Sequence, residues 1–407
     1  MSLEREAFQN ISVIHVYYVR GTDKLSMGRL ALKDRKIFFE YNAEFLKTGL
    51  ELSPFKLPLK PGVIPCEDRL FDGLFGVFND SLPDGWGRLL LDRKLMRLGI
   101  HLGELSPLDR LYYIGSRGMG ALLYEPEVEG LIPPQHEDLD AVADEIVQFQ
   151  ENDDDRFVDD LLSLNGSSAG ARPKILVSLG KDNWMIKFRS SIDPKDIGPI
   201  EYAYHLMAMA ANLDVPEARL FPSKSGFGYF GVQRFDRTAG KHVHMHTACG
   251  LLHVDYRIPS LDYETIMKAT LWLTKDTRKC EKQFRVAVFN VLTHNRDDHA
   301  KNFSFLMDEN GSWHVSPSYD LTFSSGPAGE HCTVIMGEGK NPNLSHLLIL
   351  ADVGDIKRQK ALSIIDEVQN AVSKWDTFAK DADVTKASYS RIQRAFDQVA
   401  KVFNKPS

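Results

Sequence analysis

Chemistry is most concentrated in the run His294-Asn-Arg-Asp-Asp-His-Ala-Lys-Asn302, which follows the apolar stretch FRVAVFNVLT and precedes FSFLM. Arg296-Asp297 and Asn302 stand at the RD-x4-N spacing of a phosphoryl-transfer catalytic loop. An Asp in such a loop orients an attacking hydroxyl and accepts its proton, while an amide oxygen five residues on can ligate Mg²⁺ without adding charge. Asp298 is a competing carboxylate, but only Asp297 has the required spacing. Read alone, the run could equally be a turn with good side-chain capping. Eighteen residues after Asn302 comes Asp320, in Ser316-Pro-Ser-Tyr-Asp-Leu-Thr322, where a second carboxylate could bridge a metal to phosphate oxygens. Two such sites separated by a hairpin are much less readily explained by capping.

Upstream, Asn165-Gly-Ser-Ser-Ala-Gly-Ala-Arg-Pro-Lys174 leads into the strand-like ILVSL. Its small residues would let backbone N–H groups approach phosphates, and Arg172 and Lys174 could neutralise them. Lys187 sits within WMIKF, as does the strand lysine that pairs nucleotide phosphates in kinases, although a lysine there could also be an edge-strand charge facing water. Glu201, near the start of the next helical stretch, could hold Lys187 or simply favour the helix N-terminus. Gly115-Ser-Arg-Gly-Met-Gly120 lacks the helix start and acidic residue of a dinucleotide fingerprint and reads as a glycine turn. His242, His244 and His246 alternate along a strand-like segment with Cys249 and His253 nearby. Zinc or nickel is conceivable there, but ordinary packing of strand histidines is the better reading.

The elements that must position these residues divide the chain in three. Residues 1–130 read as an α+β unit, beginning with the alternating ISVIHVYYV and KIFFEY and including a helix that starts near Asp84. The acidic stretch from Glu137 to Asp160 reads as a solvated helix face or a linker, with a boundary nearby. Residues 131–238 hold a strand hairpin, the helical IEYAYHLMAMAANL and the strand YFGVQRF; residues 239–407 are mostly helical. Strands first and helices second is the order of a two-lobed, kinase-like α+β fold with an extra N-terminal subdomain.

Composition removes several classes of function. Of 407 residues, 43% are apolar and 26% charged, the balance of an ordered globular protein. The net charge of −7 provides no global field for a nucleic-acid backbone. Cys66, Cys249, Cys280 and Cys332 lack CxxC spacing, which argues against disulfides or a zinc ribbon and suits a reducing cytoplasm. The N-terminus does not read as a secretory signal, and no apolar run is long enough to span a membrane.

Taken in order, the segments FNDSLPDGWG, IGSRGMGALLY, SSAGARPK, QRFDR, DDHAKNFSFL and SPSYDLTFS resemble the HipA family of serine/threonine kinases, toxins of bacterial toxin–antitoxin pairs. The resemblance runs nearly end to end. It implies Asp297 as catalytic base, Asn302 and Asp320 as Mg²⁺ ligands, and Lys187 on the phosphates of ATP. The phosphate loop would be Ala169, Gly170, Ala171, Arg172, Pro173 and Lys174. Gln233, Arg234 and Phe235 would lie at the adenine hinge, and His299, Lys301 and Tyr319 in nucleotide-contacting segments. Ser167, with Ser168 as its rival, matches the family's autophosphorylated serine; a phosphate there would place about two negative charges where ATP phosphates must sit. Gln233 replaces the Glu of many relatives, and ARPK replaces a Gln-Glu-Lys variant. The family also implies a helix-turn-helix antitoxin of HipB type, through which the chain would meet DNA indirectly. Two other readings of the same residues are a nucleotide-binding pseudokinase that serves a DNA-binding partner and a small-molecule phosphotransferase.

Overall fold

The computed structural model describes residues 10–128, 138–152, 155–165, 170–224, 226–238 and 240–403. The N-terminal unit is built on an antiparallel sheet of β1 (Val13–Arg20), β2 (Asp23–Lys33), β3 (Lys36–Tyr41), β4 (Val63–Pro65) and β5 (Leu122–Glu125), in the order β4-β3-β2-β1-β5. Ile14, Val16 and Tyr18 of β1 point inward and alternate with more exposed neighbours, the period of a half-buried strand. Helix α1 (Ala43–Leu46) lies between β3 and β4 in the chain, and α2 (Gly76–Asn79), α3 (Gly85–Arg97) and α4 (Pro107–Ile114) lie between β4 and β5. Asp84 is the N-cap of α3, where the helix was expected to begin. The start of α4 is fixed by a capping box between Ser106 and Asp109, with Pro107 at its first position.

Within the acidic stretch lies α5 (Leu139–Asn152), followed by α6 (Val158–Asn165). The stretch is more than a solvated face, because Val142, Ile146 and Phe149 form a buried stripe at helical spacing. Phe149 meets Trp86 of α3 edge to face, with ring centroids 5.3 Å apart.

A second antiparallel sheet follows, made of β6 (Lys174–Leu179), β7 (Asp182–Lys187), β8 (Ala218–Phe221) and β9 (Tyr229–Gln233) in the order β6-β7-β9-β8. β7 is therefore interior to the sheet, which removes the edge-strand reading of Lys187. Helix α7 (Ile197–Ala210) packs beside this sheet, close enough that a Cβ on Gly198 would lie 2.1 Å from the Gly228 carbonyl oxygen.

The remainder is mainly helical but carries short strands where the chemistry lies. β10 (Arg237–Thr238) and β11 (Lys241–His242) form a hairpin; β12 (His244–Thr247) leads into α8 (Ala248–Leu252), and β13 (Leu261–Asp262) into α9 (Tyr263–Thr274) and α10 (Thr277–Leu292). β14 (Ser304–Met307) and β15 (Trp313–Val315) join β12 in one sheet, while β16 (Thr333–Val334) pairs in parallel with β13. Helices α11 (Leu344–Val353), α12 (Arg358–Val372), α13 (Trp375–Asp381) and α14 (Lys386–Phe403) complete the C-terminal lobe.

Among the described residues, three apolar cores underlie this arrangement. One joins α7 to the helices of the C-terminal lobe; a second joins α3, α5 and α6 to β6 and β7. The third unites Ile14, Phe39 and Phe78 of the N-terminal unit with Leu251, Ala269, Phe305 and Met307 of the C-terminal lobe.

The histidines are absorbed into this packing. His242 ends β11 while His244 and His246 belong to β12, so the three do not share one strand. His244 Nε2 lies 2.9 Å from the Leu52 carbonyl oxygen, and buried His246 lies 2.6 Å from Asp80 Oδ2 through Nδ1 and 3.0 Å from Ser53 Oγ through Nε2. Among the described residues no group of three or more His, Cys, Asp or Glu side chains is gathered as a metal cage, and all four cysteines are free and buried. No described helix is long and apolar enough to cross a membrane.

Candidate active site

Helix α10 delivers the candidate catalytic loop. Its inward face, including Phe284, Ala287, Val288 and Val291, anchors it in the core, and the chain leaves it through Thr293 and His294, the latter at φ +53°. Asn295 Nδ2 then donates to Asn290 Oδ1 at 2.9 Å, and Arg296 donates to the carbonyl oxygens of Gly329 and Lys340. These bonds tie the loop to both the helix behind it and the segment beyond β15.

The two neighbouring carboxylates have different surroundings. Asp298 is 1% exposed and accepts from Tyr263 Oη at 2.9 Å and Thr333 N at 3.3 Å, with His331 Nδ1 at 2.8 Å. Such a fully engaged group holds the loop together. Asp297 is exposed, and among the described residues its side chain has only a long contact from Cys332 Sγ, at 3.9 Å. Crowding by surrounding protein raises the pKa of its carboxyl despite the opposing pull of His299, and the charge of Asp320 adds to the rise. A solvent-facing carboxylate of raised basicity is what a proton acceptor requires.

Asn302 Nδ2 donates to the Asp297 carbonyl oxygen at 2.8 Å, which directs the amide oxygen elsewhere. Asn302 and Asp320 line the same hollow with Ser304, Ser316 and Tyr319. Asp320 adopts φ +56°, a left-handed conformation that Asp tolerates better than most residues. Lys187 Nζ lies 2.6 Å from Asp320 Oδ1 and 2.9 Å from Glu201 Oε2. The other oxygen of Glu201 is 2.8 Å from Arg172, which also reaches Asp193 at 3.1 Å. Burial alone would raise the Asp320 carboxyl, but Lys187 and then Lys174 outweigh it and hold the group well below the usual carboxylate range.

Lys174 faces Lys187 directly in the β6–β7 register. Like charges opposed in this way are destabilising unless anions lie near them. Lys174 is 4% exposed; burial first, and Lys187 next, bring its pKa down to about 8. Lys174, Lys187 and Arg172 thus bring three cationic groups together, balanced by Asp320, Glu201 and Asp193, where phosphates could share their charge. The oxygen-only donors of Asn302 and Asp320 suit a hard cation such as Mg²⁺.

Other expected residues are arranged around this centre. Tyr319 Oη lies 2.5 Å from Ser304 Oγ and donates to the Lys301 carbonyl oxygen at 2.5 Å, while its ring meets Phe235 at 5.5 Å. Gln233 Nε2 donates to Asp182 Oδ1 at 2.9 Å, and Arg234 forms a two-pronged pair with Asp236 at 2.9 and 2.7 Å. The His299 ring stands 5.5 Å from that of Tyr256. Lys301, expected in a nucleotide-contacting segment, is buried with its ammonium against Asp84 Oδ2 at 2.5 Å. Pro173 accepts from Phe188 N at 2.8 Å, and Gly170 takes φ +106°; Ala171 lies between Gly170 and Arg172. Ser167, Ser168 and Ala169 lie outside the described residues.

Sequence reasoning missed Asp84 and Asp193. Asp84 carried only the signal of a helix start, and nothing local distinguishes Asp193 from other acidic loop residues.

Two lobes meeting at a Lys–Glu–Asp cluster, with an added N-terminal unit, define a kinase-like fold. Residues 166–375 match the HipA-like C-terminal domain and residues 21–125 the HipA N-terminal domain; the chain belongs to the HipA family. It is similar in fold to a chain of the Shewanella oneidensis MR-1 toxin–antitoxin complex of HipA, HipB and operator DNA, with TM-score 0.67 and 17% identity over 95% of each chain. It is 26% identical over 152 residues to Y4dM of Sinorhizobium fredii, a protein named as a kinase; the match spans 34% of this chain and 37% of that protein. The Helicobacter pylori proinflammatory kinase CtkA aligns with 55% of this chain and 94% of its own at 14% identity, but the TM-score of 0.34 is too low to establish a common fold.

Proposed function

We propose that this chain is an ATP- and Mg²⁺-dependent serine/threonine protein kinase of HipA toxin type. The carrying observation is the Asp320–Lys187–Glu201 cluster beside a catalytic loop whose Asp297 is exposed and whose Asn302 shares a hollow with Asp320. In the reaction, the Asp297 carboxylate accepts the proton of an acceptor hydroxyl as its oxygen bonds to the γ-phosphorus. The bond from that phosphorus to the β–γ bridging oxygen breaks, and ADP leaves with the electron pair. Lys187 and Lys174 neutralise phosphate charge, and Glu201 keeps Lys187 aimed. Asn302 and Asp320 would hold Mg²⁺, which supplies charge neutralisation at the phosphate oxygens.

The same reading makes Ser167 the autophosphorylation site and a HipB-type antitoxin the partner, with DNA reached through that partner in a reducing cytoplasm. The fold shared with a HipA that forms such a complex supports the partner. The four free cysteines fit the compartment. Incubation of the full chain with γ-labelled ATP and Mg²⁺ tests the activity: label should appear in protein for the wild type and not for Asp297→Ala. Equal labelling of both would overturn the assignment of Asp297, and no labelling of the chain or of any lysate protein would overturn the kinase reading.

A further inference from the structure

Asp84 stands where a helix cap should be, but caps nothing. An Asp at the N-cap ordinarily turns its side chain back to the first N–H groups of its own helix. In α3 that bond is absent. The Asp84 carboxylate is instead directed outward, with Oδ1 accepting from Gly170 N and Oδ2 from Lys301 Nζ. Trp86 N, two residues on, donates to the Gly170 carbonyl oxygen at 3.1 Å. The two backbone polar groups of Gly170 are therefore held by one turn of the N-terminal unit, and the same turn grips the catalytic loop through Lys301.

The glycines around this contact leave little room. Gly85 takes φ +44°, and a Cβ on it would lie 2.6 Å from the Gly170 carbonyl oxygen. A Cβ on Gly87 would lie 2.4 Å from Asn165 Nδ2. Asn165 and Gly170 lie on either side of the segment 166–169, so Gly85-Trp86-Gly87 underlies both of its flanks. Asp84 is only 8% exposed, and a buried carboxylate is unfavourable unless its bonds are well made.

We propose that Asp84 and the Gly85–Trp86 turn are a positioning device for the phosphates of ATP, holding the stem of the phosphate loop at a fixed distance from the catalytic loop. This rests on the kinase reading. In this role Asp84 acts through its bonds to Gly170 and Lys301 rather than on the nucleotide itself. A purely structural role would weaken all ligand binding alike, whereas a positioning role acts on phosphates and leaves the nucleoside untouched.

The experiment compares MgATP with adenosine by calorimetry, using the full chain as wild type, Asp84→Ala, Asp84→Asn and Gly85→Ala, each checked for folding by thermal melting. Asp84→Ala and Gly85→Ala should weaken MgATP roughly tenfold or more and leave adenosine within about twofold, as expected when oriented phosphate contacts are lost. Asp84→Asn, which still accepts from Gly170, should recover part of the difference. In the wild type, MgATP should slow hydrogen exchange at the Trp86 and Gly170 amides, a readout that needs no variant. Folded variants that bind MgATP as the wild type does, equal losses for MgATP and adenosine, or unchanged exchange at both amides would overturn the proposal while leaving a nucleotide-binding wild type intact. A wild type that binds no MgATP would overturn the kinase reading and this one with it.

Discussion

Lys187 on β7 and Asp320 after β15 are 133 residues apart in sequence and 2.6 Å apart in space. The contact joins the two lobes through a lysine whose side chain is 10% exposed, so its strength is little screened by salt. Glu201 on α7 shares the ammonium at 2.9 Å, which makes Lys187 the link between a helix of one lobe and the metal-ligand candidate of the other.

Replacing Lys187 by Met keeps the length of the side chain and removes its charge. Phosphate transfer should fall by roughly 10²–10³, the range for loss of one preorganised electrostatic contact. Glu201 retains Arg172, so the variant should still fold. Initial rates at saturating ATP, with a thermal melt as control, decide it; a rate near that of the wild type would remove Lys187 from the centre.

Asp297 and Asp298 should separate chemistry from stability. Asp297→Ala should lower transfer by about 10³ and leave the urea midpoint nearly unchanged, since general-base catalysis is worth about 10²–10⁴. Asp298→Ala should cost roughly 3 kcal/mol by stranding Tyr263, His331 and the Thr333 amide in the core. The reverse pattern would exchange their roles.

Asp320→Asn should raise the Mg²⁺ concentration that gives half-maximal activity by about tenfold, because it removes a formal charge from the ligand set. Excess EDTA should abolish wild-type activity and added Mg²⁺ restore it. Transfer that persists in EDTA would rule out the metal.

Acid should destabilise the fold before most carboxylates titrate. Burial pushes His205, His242 and His244 down to about 4, with Arg237 contributing at His242 and His246 at His244. The unfolded chain then binds protons that the folded chain refuses, so stability is complete above about pH 6.5 and is lost as pH falls toward 4. Buried His244 contributes a slope of at most about 1.4 kcal/mol per pH unit within that window, and half-buried His242 less. Urea midpoints measured from pH 7 to pH 4.5 should fall, and His244→Gln should flatten the decline; a flat profile for the wild type would contradict the assignment.

Gln233→Glu, which restores the residue expected in many relatives, should weaken rather than improve this chain. Gln233 donates to Asp182, so the substitution would oppose two carboxylates at 2.9 Å. A loss of about 1 kcal/mol is expected from exchanging a hydrogen bond for a like-charge contact. An unchanged denaturation midpoint would show that the pair relaxes without strain.

Much of the candidate site's arrangement could be anticipated from local spacing. The distance from Asp297 to Asn302 fits within one loop, and Lys187 lies in a hairpin whose alternation is visible in KILVSL and WMIK. Glu201 could be named but not paired, because pairing depends on how α7 packs against the β6–β9 sheet. Asp84 was read only as a helix start because its partners lie 86 and 217 residues away. The regular spacing of His242, His244 and His246 was equally uninformative about their separation onto two strands or the engagement of His246 by Asp80.

The apolar core shared by Phe39 and Phe78 with Phe305 and Met307 bears on any attempt to exchange parts among relatives. A chimera joined near residue 130 would set side chains from two ancestries against each other across a buried seam. Grafting the first unit would demand co-transplanting Leu251, Ala269 and the β14 face, so the two halves are constrained to diverge in step.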